Sequence, residues 1–135
     1  MSLAQNAYID ASNVYESSLD AEFKKDNGVF YTDLSLAEKM LLELKLDKSA
    51  VILDPCCGAG VFVYAAIKHG YEKVYGIDQD DNAINFCNNN IHGATFTSND
   101  SIGKDAGTTL SLLNLDGKPD LIIGNPPYVP LTSDI

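Results

Sequence analysis

The fold is decided by the stretch VILDPCCGAGVF, residues 51–62. Its first three residues favour a short buried strand, and two glycines in the following turn lead into an apolar helical segment. A glycine turn between a strand and a helix lets a ligand approach the backbone and the helix N-terminus. No Gly-Lys-Ser/Thr follows, which excludes a Walker phosphate loop, and the third glycine of a dinucleotide fingerprint is absent. Asp54 precedes the turn, where its carboxylate would repel a pyrophosphate but suit an ammonium group, as in a ligand with a cationic amino-acid portion.

Strands and helices alternate on both sides of this stretch. Strands are predicted at Val51–Leu53, Val74–Ile77, Ala94–Thr97 and Leu121–Ile123, and helices at Leu34–Leu44, Gly60–His69 (with Gly70 as its C-cap), Asp80–Ile91 and Ala106–Leu115. Residues 1–27 form a polar lead-in, with a helix predicted from Val14 to Phe23. This alternation predicts an α/β fold, a doubly wound parallel sheet of about four strands joined by right-handed crossovers. In such sheets, ligands bind beyond the carboxyl ends of the strands.

Composition and charge limit the possible functions. The chain has 135 residues, of which 45% are hydrophobic, enough for one globular domain with a core. No apolar run approaches the roughly 20 residues of a membrane span, and no signal peptide is evident, so a cytoplasmic protein is expected. The three cysteines are odd in number and lack metal-ligand spacing, so reduced thiols and no metal site are expected. The net charge of −10 repels a phosphate backbone, so this stretch alone is not expected to hold DNA or RNA well.

Acidic side chains follow the second and third predicted strands. An acidic residue about 20 residues beyond a glycine loop typically binds ribose hydroxyls, and Asp78 stands at that position. Asp80 fits the N-cap of the following helix. Asp100 could accept a hydrogen bond from an adenine amino group, although a turn or cap role explains it equally well. Together with Asp54, these residues indicate a ligand with a ribose, an adenine and a zwitterionic tail, and S-adenosylmethionine fits that description.

The fourth predicted strand runs directly into Asn125-Pro126-Pro127-Tyr128. The two prolines cannot donate to a sheet ladder and fix φ near −65°, so the strand ends there and the chain leaves in a defined direction. The amide of Asn125 can accept and donate hydrogen bonds, and the ring of Tyr128 offers a flat face for stacking. An amino group on a planar heterocycle requires both features. The alternative is a strand-ending turn with a surface tyrosine.

Three motifs in this order resemble those of the N6-adenine DNA methyltransferases of restriction–modification systems, in which the cofactor motifs come first and target recognition is C-terminal. The motifs are GVFYT at 28–32, DPCCGAGVF at 54–62 and NPPY at 125–128, and the resemblance covers residues 28–130. It implies a Rossmann-like fold and S-adenosylmethionine as the cofactor. The cofactor-binding residues that it implies are Tyr31, Thr32, Asp54, Pro55, Cys56, Gly58, Gly60, Asp78, Gln79, Asp100 and Asn125.

The resemblance also implies a role for each motif. The segment of Tyr31 and Thr32 would cover the methionine end of the cofactor. Asn125 and the carbonyl of Pro126 would accept hydrogen bonds from the amino group of the target adenine, with Pro127 in the same rigid segment. Tyr128 would stack on the base after it is flipped from the helix. The reaction needs no metal and no covalent intermediate, because positioning an activated methyl donor supplies most of the catalysis.

Two departures from the family pattern are present. Asp33 stands where the family commonly has proline, so the lid over the cofactor is expected to differ. Cys56-Cys57 occupies a loop often written Ala-Cys, which the family should tolerate because both residues are small. Although Pro55-Cys56 resembles the nucleophile motif of cytosine C5-methylation, the cysteine here belongs to the cofactor loop, and that role is rejected.

The resemblance implies a sheet of about seven strands, whereas four are predicted here. We therefore expect residues 28–135 to be the N-terminal part of a catalytic domain, with further strands and a target recognition domain outside this sequence. DNA would bind through that other part, and a restriction or specificity subunit is an expected partner. The fourth strand would be an exposed edge, which favours self-association. No membrane partner is expected.

Two other classes of function remain open. Protein glutamine-N5 and ribosomal-RNA guanine-N2 methyltransferases also use Asn-Pro-Pro-Tyr/Phe, since their acceptors are planar nitrogens too. The segment from Gly28 to Thr32 and Phe62 in the cofactor loop disfavour them. A non-catalytic cofactor-binding remnant is the second alternative.

Overall fold

The protein forms a four-stranded parallel sheet with helices, in a computed structural model that describes residues 3–19, 33–99 and 118–124. The strands are β1 (Val51–Asp54), β2 (Lys73–Asp78), β3 (Thr95–Ser98) and β4 (Leu121–Ile122). The helices are α1 (Leu3–Ser18), α2 (Leu34–Leu44), α3 (Val61–Lys68) and α4 (Asp81–Asn90). The predicted α/β fold is confirmed. The helix predicted at Ala106–Leu115 lies outside the described residues.

The strand order is β3-β2-β1-β4, and all pairs are parallel. The chain moves outward from β1 to β2 and β3, then returns to the other side of β1 for β4. Strand order therefore reverses between β1 and β4, where α/β sheets form a crevice at the carboxyl edge. The short β4 is extended by backbone hydrogen bonds at both ends, from Asp120 N–H to Val51 O (2.9 Å) and from Ile123 N–H to Leu53 O (3.0 Å). Among the described strands, β3 and β4 are the edges.

Among the described residues, the larger part of the core lies on one face of the sheet. Ile52 and Val74 belong to a buried cluster to which each of the four described helices contributes. Leu53 and Ile77 point to the opposite face, where Tyr75 packs against them. Both faces of β1 are therefore covered, as its continuous apolar sequence predicts for a central parallel strand.

Local capping signals determine several helix ends. Asp80 accepts a hydrogen bond from Asn82 N–H (3.0 Å), which confirms its predicted role as the N-cap of α4. α3 ends in a Schellman arrangement, in which Gly70 has φ +89° and bonds the Ile67 carbonyl, while Tyr71 N–H reaches the Ala66 carbonyl. Gly70 therefore terminates the helix as predicted. The carbonyls of Ala66 and Ile67 are thereby paired where α3 ends.

The N-terminal helix differs from its prediction, which placed it from Val14 to Phe23. α1 begins at Leu3 and ends at Ser18, and Val14 is 68% exposed. Its buried face consists of Gln5, Tyr8 and Ser12. Two of these three residues are polar, so apolar periodicity marks this face only weakly, although Ile9 also packs against the core. Within the described ranges, no helix combines the length and apolar character needed to cross a membrane.

Candidate cofactor site

The loop of residues 57–60, here called the glycine loop, is fixed at the carboxyl ends of β1 and β2. Cys57 N–H donates to the Ile77 carbonyl (2.8 Å), and Gly58 N–H donates to Oδ2 of Asp78 (2.9 Å). Gly60 N–H donates to the Cys57 carbonyl (2.7 Å), which closes the turn before α3. The first N–H groups of α3 have no partner within the helix, as at any helix N-terminus. The loop therefore presents backbone donors at the edge where a ligand is expected.

The glycines of this region have different physical roles. Gly58 has φ +52°, and a methyl group there would meet no described atom within 4 Å, so the space beside it is open. Gly60 has φ +81°, and a methyl group would approach Ile91 Cδ1 to 2.5 Å and Cys87 Sγ to 3.0 Å. Gly58 is the glycine that borders free volume, whereas Gly60 permits close packing of α4. Both were predicted to bind cofactor, and the geometry favours direct approach at Gly58.

Asp54 is a buried carboxylate, with only 2% of its surface exposed. Its Oδ1 accepts a hydrogen bond from Cys56 N–H (3.0 Å). Burial raises its pKa to about 7, and the negative charge of Asp78 adds to the shift. The protein groups around Asp54 therefore stabilise its charged form only in part, and a cationic ligand group would favour ionisation of the carboxyl group. The role of Asp54 in binding the ammonium group of an amino-acid tail, which its position before the glycines suggests, stays a prediction.

Asp78 lies at the carboxyl end of β2 and links the glycine loop to α4. Oδ1 accepts from Asp80 N–H (2.9 Å), while Oδ2 accepts from Gly58 N–H. Burial raises the pKa of Asp78, and these backbone hydrogen bonds oppose the shift. Gln79 N–H is a third backbone donor to this carboxylate. Since a carboxylate has about four acceptor positions, one remains for a hydroxyl donor. Gln79, the next predicted contact, is exposed beside it.

The cysteines of the loop are free thiols. A hydrogen bond with Cys87, together with burial, raises the pKa of Cys57 well above the usual thiol range. Cys87 itself donates to the Gly58 carbonyl (3.2 Å). A buried thiol with a raised pKa is a poor nucleophile, so Cys57 acts here as a small packing residue.

β4 leads toward Asp54. A methyl group at Gly124 would collide with Oδ1 of Asp54 and lie 3.0 Å from its Cγ. The residue immediately before Asn125 is therefore in direct contact with the buried carboxylate. Gly124 places the strand that precedes the Asn-Pro-Pro-Tyr motif beside the proposed ammonium site.

Other predicted site residues lie outside the described residues. These are Tyr31, Thr32, Asp100, Asn125, Pro126, Pro127 and Tyr128. Asp33, which follows the first pair, is the N-cap of α2 and accepts from Ser35 N–H (3.1 Å). Aspartate can therefore start this helix where the family commonly has proline, since both residues suit a helix N-terminus.

Sequence reasoning missed the contribution of α1. The hydroxyl of Tyr8 donates to the Ala59 carbonyl in the glycine loop (2.8 Å). The Tyr8 ring stacks on Tyr64 of α3, and Tyr15 stacks on Phe86 of α4. Burial is the main cause of the raised pKa of Tyr15, and the negative charges of Asp80 and Asp78 add to it. This phenol therefore lies near the acidic site. Gln5, Tyr8, Ser12 and Tyr15 recur at spacings of three and four, a helical signal carried partly by polar residues.

The comparisons with known proteins agree with this geometry. The family model for N-6 DNA methylase matches residues 9–131. The chain belongs to the N-6 DNA methylase family. Its fold is the Rossmann-like fold of S-adenosylmethionine-dependent methyltransferases, and S-adenosylmethionine is the cofactor that goes with this family. The open space beside Gly58, the buried carboxylate of Asp54 and the remaining acceptor position of Asp78 suit the parts of S-adenosylmethionine.

Two relatives and one solved structure show how this N-6 DNA methylase relates to others. The type II methyltransferase M.VspI of a Vibrio species is 32% identical over 120 residues, which cover 87% of the chain and 29% of that protein. A release factor glutamine methyltransferase of Mycobacterium leprae is 37% identical over 87 residues, covering 64% of the chain and 29% of that protein. A Vibrio vulnificus protein described as a modification subunit of a type I restriction enzyme has a TM-score of 0.63 at 21% identity, over 95% of this chain and 30% of that one. The chain thus spans less than a third of each of these proteins.

Proposed function

We propose that this chain is the cofactor-binding part of an enzyme that methylates the N6 amino group of adenine in DNA, within a restriction–modification system. The observation that carries the proposal is the buried Asp54 beside the open glycine loop, with the strand that leads to Asn-Pro-Pro-Tyr in contact with it. This arrangement would put the methyl donor and the acceptor motif at one edge of the sheet. S-adenosylmethionine would supply an activated methyl group there.

The proposed cofactor contacts follow the chemistry of each group. Asp54 would pair with the ammonium group, while the backbone of the loop from Pro55 and Cys56 through Gly58 to Gly60 would border the amino-acid end. Asp78 would accept from the ribose hydroxyls with Gln79 beside it, and Asp100 from the adenine amino group. Tyr31 and Thr32 would cover the methionine end. The motif residue Asn125 would also border the cofactor.

The proposed acceptor contacts come from the Asn-Pro-Pro-Tyr motif. Asn125 and the Pro126 carbonyl would accept hydrogen bonds from the amino group of adenine and increase electron density on its nitrogen. Pro127 would keep the segment rigid. Tyr128 would stack on the flipped base and hold its plane in line for transfer. The catalytic contribution of these residues is positioning and stabilisation of developing charge.

DNA binding would require surfaces beyond this chain. With a net charge of −10, the chain offers little to neutralise phosphates. Base flipping costs a few kcal/mol, which contacts from a recognition region would have to offset. The proposed partners are therefore DNA, held mainly by the rest of the protein, and a restriction or specificity subunit. The similarity in fold to the Vibrio vulnificus modification subunit of a restriction enzyme supports the restriction or specificity subunit as a partner.

Glutamine-N5 methylation of a release factor is the second candidate, favoured by the 37% identity with the Mycobacterium leprae protein. That match covers 64% of the chain, whereas the type II DNA methyltransferase matches 87% and the family model begins within α1. The extent of similarity therefore favours DNA adenine as the acceptor.

An acceptor assay distinguishes these candidates. The full-length protein would be incubated with methyl-labelled S-adenosylmethionine and either duplex DNA, a release factor or ribosomal RNA, and the methylated residue would be identified by mass spectrometry. We expect N6-methyladenine in the DNA sample alone. Methylglutamine in the release factor would replace the proposal by the second candidate. The 135-residue chain alone is expected to transfer no methyl group to DNA.

A further inference from the structure

We propose that Tyr8 is a positioning residue for the cofactor loop, and that α1 is thereby part of the cofactor site. The inference rests on the proposed function for the location of the cofactor, but its geometry is independent of the acceptor. Tyr8 does not belong to any of the three sequence motifs. Its hydroxyl nevertheless reaches the carbonyl of Ala59, which lies between Gly58 and Gly60, the two loop glycines with positive φ.

The contact fixes a peptide plane on both of its sides. The peptide between Ala59 and Gly60 has its carbonyl bonded to Tyr8 and its N–H bonded to the Cys57 carbonyl (2.7 Å). Because a peptide unit is planar, these two hydrogen bonds together prevent its rotation. Without the phenol, the plane would be held from one side only, in a loop whose glycines tolerate many backbone conformations.

The neighbouring peptide is held in a comparable way. The carbonyl of Gly58 accepts from the Cys87 thiol, and the N–H of Gly58 is bonded to Asp78. The glycine loop is therefore restrained from three directions, by the end of β2, by α4 and by α1. Of these three, α1 alone comes from outside the strand-helix repeat, and its hydrogen bond from Tyr8 to the loop joins two neutral groups.

Tyr8 is itself rigidly held. Its side chain is 4% exposed, and its ring stacks on Tyr64 with centroids 4.0 Å apart and planes 16° from parallel. The ring also lies 6.5 Å from Phe86, on which Tyr15 stacks at 4.8 Å. The stacked aromatic rings hold α1 against both α3 and α4, and this packing fixes the position of the Tyr8 hydroxyl. A preorganised loop loses less conformational entropy when the ligand binds.

Tyr8→Phe tests the inference, because it removes the hydroxyl and retains the ring. Tyr64→Phe is a matched control, since its ring belongs to the same stack while its hydroxyl makes none of the described loop contacts. In the ligand-free chain, we expect amide hydrogen exchange at Gly60 to be faster in Tyr8→Phe than in the wild type. We expect Tyr64→Phe to leave that exchange rate unchanged.

Calorimetric titration with S-adenosylmethionine gives the second measurement. Loss of one neutral hydrogen bond should weaken binding by roughly 3- to 10-fold in Tyr8→Phe, with Tyr64→Phe near the wild type. In the full-length protein, KM for the cofactor should rise while kcat is largely kept. A Tyr8→Phe variant with a lower melting temperature but unchanged Gly60 exchange and affinity would overturn the proposal in favour of a purely structural tyrosine.

The two measurements separate this proposal from the proposed function. If the full-length wild-type protein binds no S-adenosylmethionine, the cofactor site is misplaced, and α1 cannot be part of it. If the wild type binds and Tyr8→Phe binds equally well, the positioning role alone fails. Faster amide exchange at Gly60 in Tyr8→Phe, together with weaker cofactor binding, supports both the proposed cofactor site and the positioning role of Tyr8.

Discussion

The carboxyl and amino edges of the sheet use their polar groups in different ways. At the amino edge, the exposed Asp120 carboxylate accepts from Val51 N–H (2.8 Å), Lys48 lies 4.2 Å from the centroid of the Tyr71 ring, and Gly70 completes a helix cap. At the carboxyl edge, Asp54 and Asp78 are held in burial that raises the pKa of both. These contacts of the amino edge are made within the protein, whereas the two carboxylates of the carboxyl edge are buried where a ligand group would pair with them.

This difference indicates how the same strands serve stability and binding. Substitutions at the amino edge should change the free energy of unfolding and leave cofactor affinity intact. Substitutions at the carboxyl edge should weaken affinity or turnover, and removing the buried charge should even stabilise the ligand-free protein. The following predictions test that separation.

The largest effect is expected from the pH dependence conferred by Asp54. Its folded-state pKa of about 7 exceeds the ordinary value of 3.8, so the folded state binds the proton more tightly than the unfolded state. The free energy of unfolding should therefore fall as pH rises from about 4 to 7, by at most on the order of 4 kcal/mol. Asp54→Asn should remove this part of the slope, as measured by urea unfolding at several pH values.

The same substitution also tests the ammonium site. Since the cofactor needs the charged carboxylate, wild-type affinity should increase with pH up to about 7 more steeply than that of Asp54→Asn. Asp78 is present in both proteins, so the difference between the two profiles reports Asp54 and its electrostatic interaction with Asp78. Parallel affinity profiles for the two proteins would show that Asp54 does not bind the cofactor in its charged form.

Asn125→Ala should have the next largest effect, on the methyl-transfer step. Removing an aligned acceptor from the transition state should raise the barrier by roughly 3 kcal/mol, while cofactor affinity remains largely intact. Single-turnover methylation of duplex DNA by the full-length protein measures the first quantity, and calorimetry measures the second. Near-normal turnover would make this residue a simple end to β4.

Asp78→Ala and Asp120→Ala compare one aspartate from each edge. The first should lose about 1.5–3 kcal/mol of cofactor binding, because charge-assisted hydrogen bonds to the ribose disappear. The second should lose only stability, by about 1 kcal/mol or less, since its hydrogen bond to Val51 is exposed. Calorimetry and thermal unfolding of both variants give the two numbers, and equal cofactor affinity in wild type and Asp78→Ala would contradict the ribose assignment.

The smallest effects come from one methyl group added at each edge. In Gly124→Ala, the new group would press on the Asp54 carboxylate, and S-adenosylmethionine should bind a few-fold more weakly, a loss of about 1 kcal/mol. In Gly70→Ala, the open surroundings accept the methyl group, but φ of +89° strains the backbone and lowers stability by about 1–2 kcal/mol. A Gly124→Ala protein with unchanged affinity would show that the contact with Asp54 has no role in binding.

Much of the fold and part of the site could be predicted because the signals are local. The four strands, the helices from Leu34, Gly60 and Asp80, and the caps at Asp80 and Gly70 were confirmed to within one or two residues. The predicted position of α1 was wrong, because its buried residues include Gln5 and Ser12, which carry no apolar signal. The roles of Asp78 and Asn125 remain predictions, and the motif from Asn125 to Tyr128 lies outside the described residues.

The sequence by itself determined where strands, turns and caps begin, and which polar residues follow each strand, because hydrogen bonds within a few residues decide these features. Only the tertiary structure decided what surrounds those residues. The burial that raises the pKa of Asp54, the packing of Ile91 and Cys87 over Gly60, and the reach of Tyr8 to Ala59 all join distant parts of the chain. Such contacts depend on how helices pack on the sheet, and local spacing along the chain does not encode their distances.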